Sequence, residues 1–171
     1  AEGFNLLPSQ KIKDYFLCLC PKLKSSFSQV IPLGLDKDLY FFDLGAFLER
    51  ERPEILIFGR LDPIKGHQQF LSIFKACLDT WPDSLPRPVL RIIGEEKNIT
   101  SKEIKEEAKK RGLLYEKDLY IDTQRIEDVY KTLSKTTVGV VSSLGSEVIC
   151  RVAEEFLLCG VPLFVSGAGS L

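Results

Sequence analysis

The sequence predicts an α/β fold, namely a single Rossmann-like three-layer domain with a mostly parallel sheet and helices on both faces. Three short apolar runs support this prediction, because such runs are typical of strands buried in a parallel sheet. They cover residues 54–58, 89–93 and 137–141. A segment with helical features follows each run, and strands that alternate with helices are characteristic of βαβ units.

Length and composition are those of one ordinary globular domain. The chain has 171 residues, of which 44% are hydrophobic and 27% are charged, and its formal net charge is −1. A charge this close to zero does not favour nucleic acid or an anionic membrane as the main partner. No apolar stretch reaches the roughly 18 residues of a membrane span, and the N-terminus lacks the pattern of a signal peptide. We therefore expect a cytoplasmic protein, and peripheral association of the full-length protein with a membrane is the alternative.

The cysteines do not predict a metal site or a disulfide framework. All five lie outside any Cys-x-x-Cys pair, and a single His is available to join them as a ligand. This usage predicts reduced thiols. The chain also contains no Met, so we expect a fragment or a processed product.

The N-terminal third has the weakest patterns. Residues 1–26 are mixed, with a short helix predicted over Lys11–Leu19. A strand is predicted over Phe27–Leu33. Tyr40–Pro53 mixes apolar and charged residues and is predicted to be a connector without functional groups.

The middle of the chain is more regular. Glu54–Phe58 is a predicted strand, and loop 59–66 joins it to a helix that runs to about Trp81. The spacing of apolar residues predicts that the buried face of this helix contains Phe70, Phe74, Cys77, Leu78 and Trp81. His67 lies in the first turn of the helix, where we expect it at the surface. Three prolines make residues 82–88 an exposed loop.

Two further strand and helix pairs follow the strand at 89–93. A capping box of Thr100 and Glu103 predicts the start of a charged helix that Gly112 ends. A short strand is predicted at Leu119–Ile121. It precedes a helix whose apolar residues are Ile126, Val129, Tyr130 and Leu133. We interpret Tyr130, like Phe70, as a core residue rather than a platform for a bound base.

The C-terminal segment predicts another βαβ unit. The strand at 137–141 leads into a turn of small residues, where Ser142, Ser143 and Ser146 are expected in turn and N-cap roles. Apolar residues then recur at helical spacing from Val148 until Gly160 ends the helix. Val161–Val165 is a predicted buried strand.

Loop 59–66 is a candidate anion site. Arg60 and Lys65 lie between a strand and the N-terminus of a helix, where unpaired N–H groups and the helix dipole favour negative charge. An Arg fork and a compact Lys ammonium are a combination suited to a diphosphate. The alternative is a solvated basic pair.

Glu147 and Glu155 are candidate ligand-binding carboxylates. In open α/β sheets, ligands bind at the carboxyl ends of the strands, towards which this predicted helix directs its N-terminus. Eight helical residues span about 12 Å, so the two carboxylates suit two parts of one elongated ligand. The alternative is a pair of solvent-facing charges, which we retain for Glu154.

Residues 146–162 resemble the retaining nucleotide-sugar glycosyltransferases of the large family that includes bacterial glycogen synthases. Two glutamates eight positions apart, followed by Gly and Pro, characterise that family, and the chain has Glu147, Glu155, Gly160 and Pro162. The Gly-Arg and Lys-Gly pairs of loop 59–66 also match. Residues 30–36 resemble the segment after the family's interdomain linker. The chain departs from the family at residues 148–150, where Val-Ile-Cys replaces the usual Gly-Phe-Gly.

This resemblance implies the C-terminal, donor-binding half of a two-domain enzyme of the GT-B architecture. Residues 1–26 would be the tail of a missing N-terminal domain and linker, and residues 27–171 a C-terminal domain truncated at its end. The partners would be a nucleotide-sugar donor, a saccharide or lipid-linked acceptor, and the protein's own N-terminal domain. The reaction would retain anomeric configuration in glycan biosynthesis, and the isolated chain would be inactive.

The resemblance also implies roles for individual residues. Arg60 and Lys65 would stabilise the departing diphosphate, without a metal or a cofactor. Glu147 would bind donor-sugar hydroxyls and Glu155 the ribose. The remaining nucleotide contacts would come from Gly59, Gly94, Asp122 and Thr123.

Other classes remain open at this stage. A sugar-nucleotide epimerase or a phosphorylase shares the architecture, and a non-catalytic nucleotide-binding or scaffold domain is a further alternative. A dehydrogenase is disfavoured, because no strand leads into Gly-x-Gly-x-x-Gly. A glycosidase is disfavoured, because the mouth of the predicted helix offers Glu147 alone rather than two facing carboxylates.

Overall fold

The structure is a computed structural model that describes residues 5–8, 10–20, 28–31, 34–145 and 150–168. Strands alternate with helices along most of this length. The elements are β1 Asn5–Leu7, α1 Gln10–Leu19, β2 Ser28–Val30, α2 Leu44–Leu48, β3 Glu54–Phe58, a 3-10 turn Pro63–Lys65, α3 His67–Asp79, β4 Val89–Ile93, α4 Ser101–Lys110, β5 Leu119–Asp122, α5 Val129–Lys135, β6 Val138–Val141, α6 Arg151–Leu158 and β7 Leu163–Val165.

Five strands form one parallel sheet in the order β5-β4-β3-β6-β7. The chain moves outward from β3 to β4 and β5, and then returns to place β6 on the other side of β3. The strand order therefore reverses between β3 and β6, and in open α/β sheets this reversal point is the usual ligand site. Strands β1 and β2 pair in parallel with each other in a separate two-stranded sheet.

Each face of the five-stranded sheet carries its own apolar core. The first core packs Ile57, Leu90 and Ile92 against residues of α3 and α4, including Phe74 and Ile104. The second core packs Leu56 and Ile93 against Leu133 of α5 and Phe156 of α6. The two cores confirm the predicted single α/β domain with a parallel sheet and helices on both faces.

Several predicted elements are confirmed. Strands β3 and β4 have the predicted bounds, and the capping box of Thr100 and Glu103 is present at the start of α4. The first core includes Phe70, whereas Tyr130 is half-buried beside the second. The ring of Tyr130 stacks on Phe41, with centroids 4.4 Å apart.

Other boundaries differ from prediction. The predicted connector at 40–53 contains α2, which Asp43 caps by accepting a hydrogen bond from the N–H of Ala46 at 3.0 Å. Helix α3 ends at Asp79, so Trp81 lies beyond it. Of the predicted strand at 27–33, Ser28–Val30 forms β2. The helix predicted from Val148 begins at Arg151 among the described residues, and residues 146–149 lie outside them.

Candidate functional site

A cleft of about 350 Å³ lies at the carboxyl ends of β3 and β6, where the strand order reverses. We call it the first cleft. Three basic residues line it, Arg60 and Lys65 from loop 59–66 and Arg151 from the start of α6. The remaining lining residues are Ile57, Phe58, Gly59, His67, Val140, Val141, Ser142, Ser143, Cys150 and Val152.

Local interactions give loop 59–66 its shape. The Asp62 side chain accepts a hydrogen bond from the N–H of Ile64 at 3.1 Å, and this bond lowers the pKa of the Asp62 carboxyl below its usual value. Pro63 follows in the first turn, where its fixed φ suits the chain. Gly66 ends the turn with φ 71°, a left-handed conformation that favours Gly. These contacts place Lys65 at the end of a short, well-ordered turn.

The loop is also joined to the segment after β6. The Ser142 hydroxyl donates to the Lys65 carbonyl at 2.8 Å, and the N–H of Leu144 donates to the Ile64 carbonyl at 2.7 Å. A Cβ at Gly66 would lie 2.1 Å from the Ser142 carbonyl oxygen, so only Gly allows the two segments to pack this closely.

The N-cap roles expected of Ser142 and Ser143 are wrong, because α6 begins at Arg151 and Cys150 occupies its N-cap position. Ser142 instead bonds the loop, and the carbonyl of Ser143 accepts a hydrogen bond from Ser166 at 2.6 Å. Ser146 lies outside the described residues.

His67 is buried, contrary to its predicted surface position. Its side chain is 1% exposed, and Nε2 lies 2.9 Å from the carbonyl oxygen of Arg60. Because a carbonyl only accepts, Nε2 carries the proton. Burial lowers the pKa of the imidazole, and the nearby Lys65 ammonium acts in the same direction. The ring is therefore neutral at physiological pH. A lone His carries no periodic signal of burial, so sequence reasoning missed this position.

The electrostatics of the first cleft favour an anion. Arg60 and Lys65 face the same space as the N-terminus of α3, whose first N–H groups lack helical partners. The structure thus brings together the two basic residues that the sequence singled out.

A second cleft of about 570 Å³ adjoins the first, and Gly59 and Arg60 line both. The predicted residues Gly94 and Thr123 line this second cleft. Gly94 also lies tightly against the Gly59 backbone: a Cβ at Gly94 would lie 1.9 Å from the Gly59 carbonyl oxygen, so a side chain would separate β3 from β4 at this point.

Asp122 and Glu155 are the predicted residues that line neither cleft. The Asp122 carboxylate forms an ion pair with Arg91 at 2.8 Å. Glu155 is 8% exposed and accepts a hydrogen bond from the Tyr40 hydroxyl at 3.1 Å. Glu155 is therefore a buried, partnered carboxylate rather than a solvent-facing one.

Tyr40 was missed because it lies in the predicted connector, 115 positions from Glu155. Burial, together with the Glu155 carboxylate, raises the pKa of the Tyr40 hydroxyl. Burial and the same carboxylate raise the pKa of the Cys159 thiol to about 11. The third carboxylate predicted for the site, Glu147, lies outside the described residues.

A family comparison supplies the observation that decides the classification. The model of the family "Glycosyl transferases group 1" matches residues 43–171, about three quarters of the chain. The chain belongs to the glycosyl transferases group 1. Both clefts and all described residues that line them fall inside the matched range.

Several solved structures share the fold of this group 1 domain. Sucrose-phosphate synthase from Thermosynechococcus elongatus superposes with a TM-score of 0.78 at 22% identity, over 97% of this chain and 41% of its own. Anabaena HepE in complex with UDP-glucose superposes with a TM-score of 0.77 at 21% identity, over 98% and 45%. A glycosyltransferase from Rickettsia africae gives 0.79 at 15%, over 99% and 46%.

The group 1 chain thus spans less than half the length of these three proteins. No curated protein sequence is significantly similar to it. Within the described ranges, no helix is both long and apolar enough to cross a membrane.

Proposed function

We propose that this group 1 domain binds a nucleotide-diphosphate sugar, and that the full-length protein transfers the sugar to a saccharide or lipid-linked acceptor held mainly by its N-terminal domain. One observation carries the proposal. Arg60 and Lys65 line the same cleft at the point where the strand order reverses, inside the range that matches the family. The UDP-glucose complex of HepE, which has the same fold, supports a nucleotide sugar as the donor.

The two clefts suit an elongated donor. The diphosphate would bind in the first cleft, and the base would bind in the second, beside Gly94 and Thr123. Gly59 and Arg60 line both clefts and would lie at their junction. Because Gly59 and Gly94 present only backbone there, the base can approach the strand ends closely.

The chemical task is to stabilise a departing diphosphate. When the bond from the anomeric carbon to the phosphate oxygen breaks, negative charge grows on that oxygen and positive charge on the sugar. Arg60, Lys65 and the N-terminus of α3 present positive charge that is already oriented, so little reorganisation is needed in the transition state. We propose that this arrangement acts without a metal ion and that the transfer retains anomeric configuration.

The glutamates would position the donor. We propose that Glu155 binds the ribose and that Glu147 binds the sugar hydroxyls. The Tyr40 hydroxyl donates to one carboxylate oxygen of Glu155. Because Glu155 lines neither cleft, ribose binding would require its second oxygen to become exposed at the donor site. The Asp122 side chain accepts a hydrogen bond from the Arg91 guanidinium. Its contribution to the nucleotide site would therefore be to help shape the wall next to Thr123.

The decisive experiment compares Lys65→Ala with wild-type full-length protein. Transfer from a panel of nucleotide sugars is measured, and binding of the matching nucleoside diphosphates is followed by calorimetry. We expect Lys65→Ala to lower turnover by about 100-fold or more, because it removes a preorganised charge next to the leaving group. EDTA should leave wild-type turnover unchanged, and the anomeric configuration of the product is read by NMR.

Lys102→Ala is the matched control, because Lys102 lies on α4 with its side chain 86% exposed. It should behave as wild type. Near-normal turnover of Lys65→Ala would overturn the role of Lys65. If wild-type protein binds no nucleotide, a scaffold function replaces the proposal, and if it interconverts donors without transfer, an epimerase does.

A further inference from the structure

His67 is joined to loop 59–66 by a contact that the family resemblance does not assign. It is the first residue of α3, and it follows Gly66, which packs against the carbonyl of Ser142. Its ring is almost fully buried and also lines the first cleft. Nε2 donates to the Arg60 carbonyl at 2.9 Å, so the start of the helix is bonded back to the start of the loop.

The Arg60 carbonyl is the important partner. A carbonyl oxygen carries partial negative charge, and one that faced a bound diphosphate would repel it. The hydrogen bond from His67 directs this carbonyl towards the buried imidazole. Arg60 lines both clefts, so its guanidinium would then be the group that this residue offers to the ligand.

A backbone hydrogen bond holds the other end of the same peptide group. The N–H of Leu61, which shares a peptide group with the Arg60 carbonyl, donates to the Glu95 carbonyl at 2.8 Å, and the N–H of Gly59 donates to the Ile93 carbonyl at 2.8 Å. His67 supplies the side-chain bond at the carbonyl end of that peptide group. Its second nitrogen, Nδ1, is buried without a hydrogen-bond partner in the described part of the chain. A buried acceptor without a partner is a cost that a purely structural ring would avoid.

We propose that His67 is a positioning residue for the donor site, in which the neutral imidazole holds the Arg60 carbonyl away from the first cleft and thereby orients Arg60 towards the diphosphate. This inference rests on the proposed function. It adds a residue that acts through Arg60 rather than on the ligand itself.

The neutral state of the ring fits this role. The charged groups near it are Lys65 and Asp62, which act on its pKa in opposite directions, while burial lowers that pKa. A neutral ring with its proton on Nε2 donates one hydrogen bond to Arg60 and adds no charge to the cleft.

Two substitutions distinguish a positioning role of His67 from a role in packing alone. His67→Leu keeps most of the buried volume and removes the donor. His67→Gln places an amide N–H near the position of Nε2, so it restores the donor without the ring. We expect His67→Leu to weaken binding of a nucleoside diphosphate about tenfold, which corresponds to one lost hydrogen bond. His67→Gln should recover wild-type affinity to within about threefold, by the same relation.

Calorimetry with the full-length protein measures these affinities, and thermal unfolding is recorded for each variant. The control is Trp81→Phe, because Trp81 has a buried ring nitrogen without a partner among the described residues, but lies beyond the opposite end of α3. Trp81→Phe should not change the affinity.

Equal affinities of wild type and His67→Leu would overturn the inference. The inference would also be overturned if both variants lost nucleotide affinity in step with their losses of thermal stability, since that pattern indicates packing alone. Failure of wild type to bind any nucleoside diphosphate would instead remove the proposed function, so the two failures are distinguishable.

Discussion

The two walls of the first cleft are held in place by different kinds of interaction. Loop 59–66 is shaped by close neighbours in the sequence, such as the Asp62 side chain bonded to Ile64 and the left-handed Gly66. On the other wall, α6 has no side-chain cap hydrogen bond, and its Glu155, which lines neither cleft, is held by Tyr40, 115 positions earlier. The basic wall, loop 59–66, is thus shaped largely by local interactions, whereas the α6 wall depends on contacts between distant segments.

This difference predicts that a single backbone change will damage the basic wall most. In Gly66→Ala, the new Cβ would lie 2.1 Å from the Ser142 carbonyl oxygen at a residue with φ 71°. Strain and overpacking together should cost about 2–4 kcal/mol of stability. Thermal unfolding measures the loss, and nucleotide binding should weaken with it because Lys65 precedes the altered residue.

Gly34→Ala is the control for this change, because a Cβ there meets nothing within 4 Å. If Gly66→Ala and Gly34→Ala were equally stable, the close packing of loop 59–66 against the segment after β6 would be wrong.

The α6 wall should respond more weakly and through a distant residue. Tyr40→Phe removes the hydrogen bond to Glu155, a net effect of about 1 kcal/mol or roughly a fivefold weaker nucleotide affinity. A double-mutant cycle with Glu155→Gln should show that the two effects are not additive.

Tyr15→Phe serves as the control, because Tyr15 is 59% exposed on α1. Additive effects of Tyr40→Phe and Glu155→Gln, or a Tyr40→Phe variant that binds as wild type does, would show that Tyr40 does not position Glu155.

The smallest expected effect is a pH dependence of thermal stability, which arises from His67 beside loop 59–66. Burial lowers the pKa of His67, so the folded protein takes up its proton less readily than the unfolded protein. The stability that this pKa difference provides is present above the pKa of about 6.5 that His67 has in the unfolded protein. It is lost as the pH falls towards the lower pKa of His67 in the folded protein. Melting temperatures between about pH 7.5 and 5 should therefore fall more in wild type than in His67→Gln. Parallel curves would contradict a buried neutral His67.

The parts of the fold that the sequence predicted well are those with a strong local signal. Strands β3 and β4 are uninterrupted apolar runs, and α4 starts with a complete capping box. The pairing of Arg60 with Lys65 at one cleft also followed from local order, since a strand, a short loop and a helix leave them little freedom.

The missed features depend on contacts between distant segments. Helix α2 is five residues long, and in it only Ala46 is buried, so it has no clear amphipathic pattern. The burial of His67 and the bond between Tyr40 and Glu155 arise only when separate elements pack together. Among the described residues α6 begins at Arg151, and the predicted start at Val148 lies outside them. The role predicted for Glu147 stays a prediction.

Cys150 lies on the wall of the first cleft, whereas Cys18 and Cys20 are exposed on or next to α1. This distribution provides a built-in footprinting probe. A maleimide should label Cys150 more slowly when the cleft is occupied, while the other two thiols report the unhindered rate in the same sample. Occupancy of the cleft is then measurable by mass spectrometry without a labelled ligand and without knowledge of the acceptor.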